Sequence, residues 1–164
     1  MTYDARAFRD TLGLFVTGVT IITTVSRQGQ AVGITANSFN SVSLDPPLVL
    51  WSIAHTARSL PVFRDAEHFA VHILREEQQS LSQRFAQSAD DKFSGLDLSP
   101  GHGGVPLLKN CAACLECKTY AQHEAGDHIL FLAEVIDFTS DKRARPLVYH
   151  GGRYAELADI DTAP

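Results

Sequence analysis

Residues 33–51 read GITANSFNSVSLDPPLVLW. Thr35, Asn37, Ser38, Ser41 and Ser43 form a near-continuous polar row between two strand-like runs, QAVGIT before it and PLVLWSI after it. A surface loop seldom joins two such runs without turn residues, so the row reads as placed against something. Asp45-Pro46-Pro47 then interrupts the pattern. Proline has no N–H for a ladder, so VSLDPPLVLWSIA (42–54) reads as one strand bent at the prolines or lying at a sheet edge.

Outward from this stretch the chain is rich in strands. Residues 4–16 carry Phe8, Leu12 and Phe15 at helical spacing, which predicts an amphipathic N-terminal helix ended by Gly18. GVTIITTV (18–25) is β-branched, Gln28-Gly29 signals a hairpin, and AVGITANSF (31–39) is its second strand. ARSLPVFRDA (57–66) reads as a short helix broken at Pro61, and HFAVHIL (68–74) as a strand. REEQQSLSQRFAQSADD (75–91) is a polar helix with Leu81 and Phe85 four apart. Residues 94–110 are loop-like. Two long strands, 114–126 and 127–141, turn at Ala125-Gly126-Asp127, and PLVYH and RYAEL flank Gly151-Gly152. About seven strands joined by tight turns predict a mainly β, antiparallel barrel with a few flanking helices, in one domain over 1–164.

Composition narrows the function. The chain has 164 residues, 45% apolar and 20% charged, with a formal charge of −5 and no cluster of Lys or Arg. That argues against nucleic acid and against an acidic membrane surface. No apolar run approaches the roughly 18 residues of a membrane span, and the N-terminus lacks a leader pattern, so a cytoplasmic location is expected. There is no G-x-G-x-x-G between a strand and a helix, and no Walker sequence; GHGG at 101–104 stands in a loop. Any nucleotide must be bound by another route.

Cys111, Cys114 and Cys117 form C-x-x-C-x-x-C. The ligand an iron–sulfur run would add four positions later is absent, since residue 121 is Ala. In an extended chain Cys111 and Cys117 share one face and Cys114 takes the other. Zinc completed by His102 or His123 was weighed against small buried side chains, and the latter reading is adopted, with no metal expected. His68 and His72, with no carboxylate at matching spacing, read as structural.

The polar row suits a flat ligand edged with donors and acceptors, because narrow residues let backbone groups approach. Ser52, Thr56 and Ser59 with Arg58, at a helix start, suit a phosphate. Ring and phosphate together suggest a flavin nucleotide; a strand with one solvated face is the competing reading. His128, just past a Gly-Asp turn, can project from a barrel rim, or be a plain turn histidine. Tyr149, His150, Arg153 and Tyr154 frame Gly151-Gly152 and could grip a dinucleotide or pack a dimer interface.

Five segments in order carry a resemblance: FRDTLGLFVTGVTIITT, GITANSFNSVSLDPPLVLWSI, FAQSADDKFSG, AGDHILFLAEV and PLVYHGGRY. Together they resemble the flavin reductase family, Greek-key split β-barrels that bind FMN and supply reduced flavin to two-component monooxygenases. The resemblance implies that Thr35, Ala36, Asn37 and Ser38 border the isoalloxazine and ribityl chain. It implies that Ser52, Ile53, Ala54, His55, Thr56 and Ser59 line the phosphate end, and that Arg84, Lys92 and Phe93 close the site. His128 falls beside the nicotinamide as the catalytic-site orienter. The expected protein is a homodimeric reductase using NAD(P)H and FMN or FAD, with a separate monooxygenase as partner. A flavoprotein electron carrier that retains its FMN is the alternative.

Overall fold

The structure, a computed structural model, describes residues 4–158. Helix α1 (Ala5–Leu12) is capped by Asp4, whose carboxylate accepts from the Arg6 N–H at 2.8 Å. It ends at Gly13, earlier than the sequence pattern suggests. Next come β1 (Thr17–Gly18), β2 (Thr20–Val25), β3 (Ala31–Ala36), β4 (Asn40–Leu44), β5 (Pro47–Ala54) and the short helix α2 (Leu60–Asp65). Then follow β6 (His68–Ile73), helix α3 (Gln79–Ala86), β7 (Leu98–Pro100) and β8 (Pro106–Leu108). The long hairpin of β9 (Ala113–Ala125) and β10 (His128–Ser140) and the closing hairpin of β11 (Val148–His150) and β12 (Arg153–Ala155) complete the chain. No helix among the described residues is long and apolar enough to cross a membrane.

Seven strands form one antiparallel sheet in the order β3-β2-β6-β9-β10-β5-β4. Residues 42–54, expected as one bent strand, are instead a hairpin. Asp45-Pro46 is a cis bond in the turn, and β4 folds back on β5 with Asn40 opposite Leu50. Proline still sits where its missing N–H is harmless, because Pro46 is in the turn and Pro47 opens β5 just before its pairing with β10 begins at Leu48. Residues 98–108 hold a two-stranded ladder where a loop was expected, too short to leave a periodic signature. Pro61 opens α2 rather than breaking it, its absent donor being one the first turn never uses.

Two cores explain the strand patterns. Val49, Trp51 and Ile53 of β5 alternate inward, as do Ile129, Phe131 and Ala133 of β10. The Trp51 ring stacks on Phe131 at 5.0 Å and meets Phe63 and Phe69 edge-on at 5.0 and 5.7 Å. Val32, Ile34 and Ala36 of β3 pack on this same cluster, so the two ends of the sheet close around it. A second core of Val19, Ile21, Leu74, Phe85, Leu108 and Leu147 lies outside the sheet. Strand β2 is therefore buried on both faces, which is why TIITT reads as an unbroken β-branched run. Its buried hydroxyls are all satisfied: Thr20, Thr23 and Thr24 donate to the carbonyls of Ala36, Pro106 and His68 at 2.7, 2.7 and 2.8 Å.

His72 pins the second core. Its Nδ1 lies 3.0 Å from the Ile21 carbonyl and its Nε2 accepts the Leu108 N–H at 3.0 Å, which together assign the neutral Nδ1–H tautomer. Burial lowers its pKa to about 4. Because the folded value lies below the unfolded value near 6.5, the unfolded chain binds the extra proton between those pH values. This contribution is complete above about pH 6.5 and is lost as pH falls toward 4, on the order of 3 kcal/mol in all. Urea unfolding at stepped pH is expected to show that slope in the parent. His72→Leu should be less stable at pH 7.5 through two stranded backbone groups, with a flatter profile below 6.5.

Candidate functional site

The groove that best fits a nucleotide lies along the free edge of β3, between the 57–62 segment and the 86–93 segment after α3. Its volume is about 430 Å³, within the range of small-molecule sites. The floor is made by a missing side chain. At Gly33 a Cβ would stand 2.5 Å from Phe85 Cε1 and 3.1 Å from Phe93 Cζ, so only glycine lets the two rings lie against the strand. Phe85 and Phe93 meet edge to face at 4.9 Å, Phe85 fully buried and Phe93 lining the groove.

One end of the groove is cationic. Lys92 Nζ donates to the Gly33 carbonyl at 3.2 Å and to the Phe85 carbonyl at 2.9 Å, locking the 86–93 segment onto β3. Burial lowers its pKa, with the nearby Arg58 charge adding to the effect. Arg58 and Ser59 line the same groove. Helix α2 has only six residues, so the attraction for an anion comes from these side chains and not from a helix end. A strand surface kept low by Gly33, an aromatic wall packed onto it and a cationic end fit a flavin with its phosphate.

Of the residues expected at the ligand, Ser59, Lys92 and Phe93 come together here with Gly33, Ile34, Ala57 and Arg58. The polar row is largely spent on construction. Thr35 donates to the Ser82 carbonyl at 2.6 Å, holding α3 on β3. Ser38 Oγ accepts the Ser52 N–H at 2.9 Å and donates to the Ser52 carbonyl at 3.0 Å. The Ala36 carbonyl accepts from Thr20. Asn37 donates to Thr17 Oγ1 at 3.3 Å and lines a second hollow of about 440 Å³ with Leu12, Phe15 and Tyr149. Ile53 is core, so it can offer a ligand only its backbone. Arg84 does not join Lys92 and Phe93: it lines a separate groove with Arg75 and Lys109 and donates to the Ser94 carbonyl at 2.6 Å. Helical spacing is the reason, since Arg84 and Phe85 are about 100° apart on α3 and face different grooves.

At the barrel rim, His128 opens β10 directly opposite Ala54, and Ser52 and Ile53 pair with Leu130 and Ile129. His128 Nδ1 lies 2.7 Å from Asp127 Oδ1. A carboxylate only accepts, so Nδ1 carries the proton and Nε2 is left to face a ligand. The same contact holds the Asp127 carboxyl below its usual range. His55 is tied in by its N–H to the Asp127 carbonyl at 2.9 Å, and its ring meets Glu124 at 3.1 Å; Thr56 follows it, exposed. Across the molecule Tyr149 and Tyr154 pack edge to face at 5.5 Å, and the Tyr154 hydroxyl bonds Ser82 at 2.8 Å. Tyr154 thus positions α3, while His150 and Arg153 pair across the β11–β12 turn. Asp90 and the 86–89 segment, also at the first groove, lie within FAQSADDKFSG, a segment that carried the resemblance without assigning any of these residues a role.

The cysteines remain thiols. Cys111 precedes β9 rather than alternating within it, and Cys117 is buried. Burial pushes the Cys114 and Cys117 pKa values up to about 12. One group of potential metal ligands converges among the described residues, His102, Glu116 and Asp137, and it includes no cysteine. Glu116 Oε2 there accepts both the His102 N–H at 2.6 Å and a His102 ring contact at 2.7 Å, which anchors the 101–104 loop.

The Gly33 contact is testable. Gly33→Ala should force Phe85 and Phe93 apart, costing about 1–3 kcal/mol of stability, and should weaken flavin binding. Thermal unfolding with and without FMN checks both effects.

Comparison with known proteins shows the family. A family model described as "Flavin reductase like domain" matches residues 12–158. The FMN reductase (NADH) SmoA of Agrobacterium fabrum is 41% identical over 155 residues, spanning 94% of this chain and 87% of that protein. The reductase component of the flavin-dependent trigonelline monooxygenase of Acinetobacter baylyi is 45% identical over 157 residues; the chain spans half of its length. The Streptomyces globisporus NADH:FAD oxidoreductase SgcE6, solved with NAD and FAD fragments, superposes with a TM-score of 0.90 at 35% identity over 99% of both chains. The chain therefore belongs to the flavin reductase family, split barrels in which a nicotinamide nucleotide reduces FMN or FAD for use by a partner monooxygenase.

Proposed function

We propose that the flavin lies in the groove floored by Gly33, with its phosphate at Arg58, Ser59 and Lys92, and that NADH approaches from the rim carrying His128. The observation that carries this reading is the conjunction of the Gly33 cradle with the Lys92 clamp: a flat wall and a fixed cation in one groove of about 430 Å³. NADH is favoured as donor because it is the donor named for the Agrobacterium and Streptomyces relatives. When bound, the flavin supplies the hydride acceptor. The chain's own work is positioning: aromatic and glycine surfaces hold a plane, and the His128 Nε2, free of Asp127, accepts from a carboxamide N–H. No side chain has to move a proton for hydride transfer.

We also propose a homodimer. Helix α1 buries none of its residues, and Leu12, Leu14, Phe15 and Val16 are 58, 71, 78 and 52% exposed. An eight-residue helix has little stability of its own in water, so this apolar face calls for a covering surface. A second copy lying there would also cover the hollow lined by Asn37 and Tyr149. Three free thiols suit a reducing, cytoplasmic location. Light scattering is expected to give twice the chain mass; a monomer at micromolar concentration would remove this part.

The reductase reading predicts that catalytic protein bleaches many equivalents of added FMN with NADH under anaerobic conditions. Retained FMN that NADH leaves oxidised would favour an electron carrier. His128→Ala should raise KM for NADH and slow reduction, with flavin affinity within about threefold, since a lost neutral hydrogen bond costs on the order of 1 kcal/mol and touches only the second substrate. Stopped-flow reduction beside an FMN titration separates the two constants. Unchanged kinetics would make His128 a turn residue.

A further inference from the structure

Arg58 and Asp90 face each other across the mouth of the flavin groove, Nη2 to Oδ1 at 3.0 Å. Arg58 belongs to the segment entering α2, and Asp90 to the segment that follows α3. Their side chains are 68 and 92% exposed, so as a stabilising contact the pair is worth little. Its place is what matters. Lys92, two residues beyond Asp90, already commits donors to two backbone carbonyls and cannot move without releasing the 86–93 segment. Arg58 is the exposed cation of the site, tied to no backbone carbonyl among the described residues, and the side chain it bonds is Asp90. A flavin phosphate, carrying about −1.5 to −2 charges, would draw on the same guanidinium. It would do so with the Asp90 carboxylate a few ångströms away.

We propose that Asp90 sets the affinity for the flavin phosphate by competing for Arg58. With the groove open, Arg58 is paired to Asp90. When phosphate enters, the guanidinium turns to it and Asp90 is left as an unpaired like charge at the mouth. The flavin is held by its ring and by Lys92 but is never held at full strength by its phosphate. That suits a protein whose product is a flavin that must leave. Riboflavin, which lacks the phosphate, gains and loses nothing from the exchange. The inference rests on the flavin lying in this groove.

Fluorescence titrations of FMN and riboflavin against the parent, Asp90→Asn, Arg58→Gln and Lys92→Gln test it. Asp90→Asn should bind FMN about three- to tenfold more tightly, with riboflavin unchanged and the gain shrinking at roughly 0.5 M salt. Arg58→Gln should weaken FMN and leave riboflavin alone. An FMN dissociation constant in Asp90→Asn equal to or above the parent's would overturn the proposal, as would an equal gain for riboflavin. If Arg58→Gln weakens FMN while Asp90→Asn is silent, the groove stands and the competition falls. If neither Arg58→Gln nor Lys92→Gln alters FMN binding, both fall together.

Discussion

A sheet that starts at β3 and ends at β4 leaves two edges, and the hydroxyl of Ser38 ties the chain leaving the β3 edge to β5, just past the end of its pairing with β4. It bonds both the N–H and the carbonyl of Ser52, so one side chain takes the place of a ladder partner between the segment leaving β3 and the middle of β5. Everything functional is measured from that join. On one side of it, β3 presents Gly33 and receives Phe85, Phe93 and Lys92. On the other, β5 aligns with β10 and fixes His128 at the rim opposite Ala54. The barrel stays split where a planar molecule can enter and is stitched where the strands need a fixed separation.

On the proposed reading, the groove's chemistry matches what hydride transfer asks of a protein. The nicotinamide carbon that gives up the hydride and the flavin N5 that takes it must be held in van der Waals contact, and no charge need be stabilised by a buried acid. The groove accordingly lacks a buried acid–base pair: its ionic groups are Arg58, Asp90 and a Lys92 already bonded to backbone. The buried histidine of the fold, His72, packs at the second core with both ring nitrogens occupied. It belongs to architecture.

Much of this was legible from the chain. The strands of β2, β3, β5, β6, β9 and β10 are long or strongly β-branched, and period-2 alternation and glycine turns locate them. The 42–54 hairpin was not legible, because a proline pair with no glycine signals a bend as well as a reversal. The polar row drew attention for a sound reason and in a partly different sense: Thr35 and Ser38 are small and polar because they bond neighbouring backbone at 2.6–3.0 Å. Spacing along a strand cannot separate a hydroxyl that meets a ligand from one that meets a carbonyl 47 residues away. Arg84 illustrates the helical counterpart, one residue from Phe85 in sequence and in another groove. Asp90 stood in a segment the sequence singled out, FAQSADDKFSG, but without a role, because an exposed acid in a polar run acquires meaning only from the arginine opposite it.

The three thiols bear on a hazard of the chemistry. Reduced flavin released into aerated water passes electrons to oxygen, and the peroxide formed attacks cysteine through its thiolate. With pKa values pushed up to about 12 by burial, Cys114 and Cys117 hold almost no thiolate at neutral pH. Burial raises the Cys111 pKa as well, outweighing the Gln78 N–H that donates to its sulfur at 3.7 Å. The interior that buries these sulfurs for packing thereby makes them poor targets for the oxidant that the protein's own product generates.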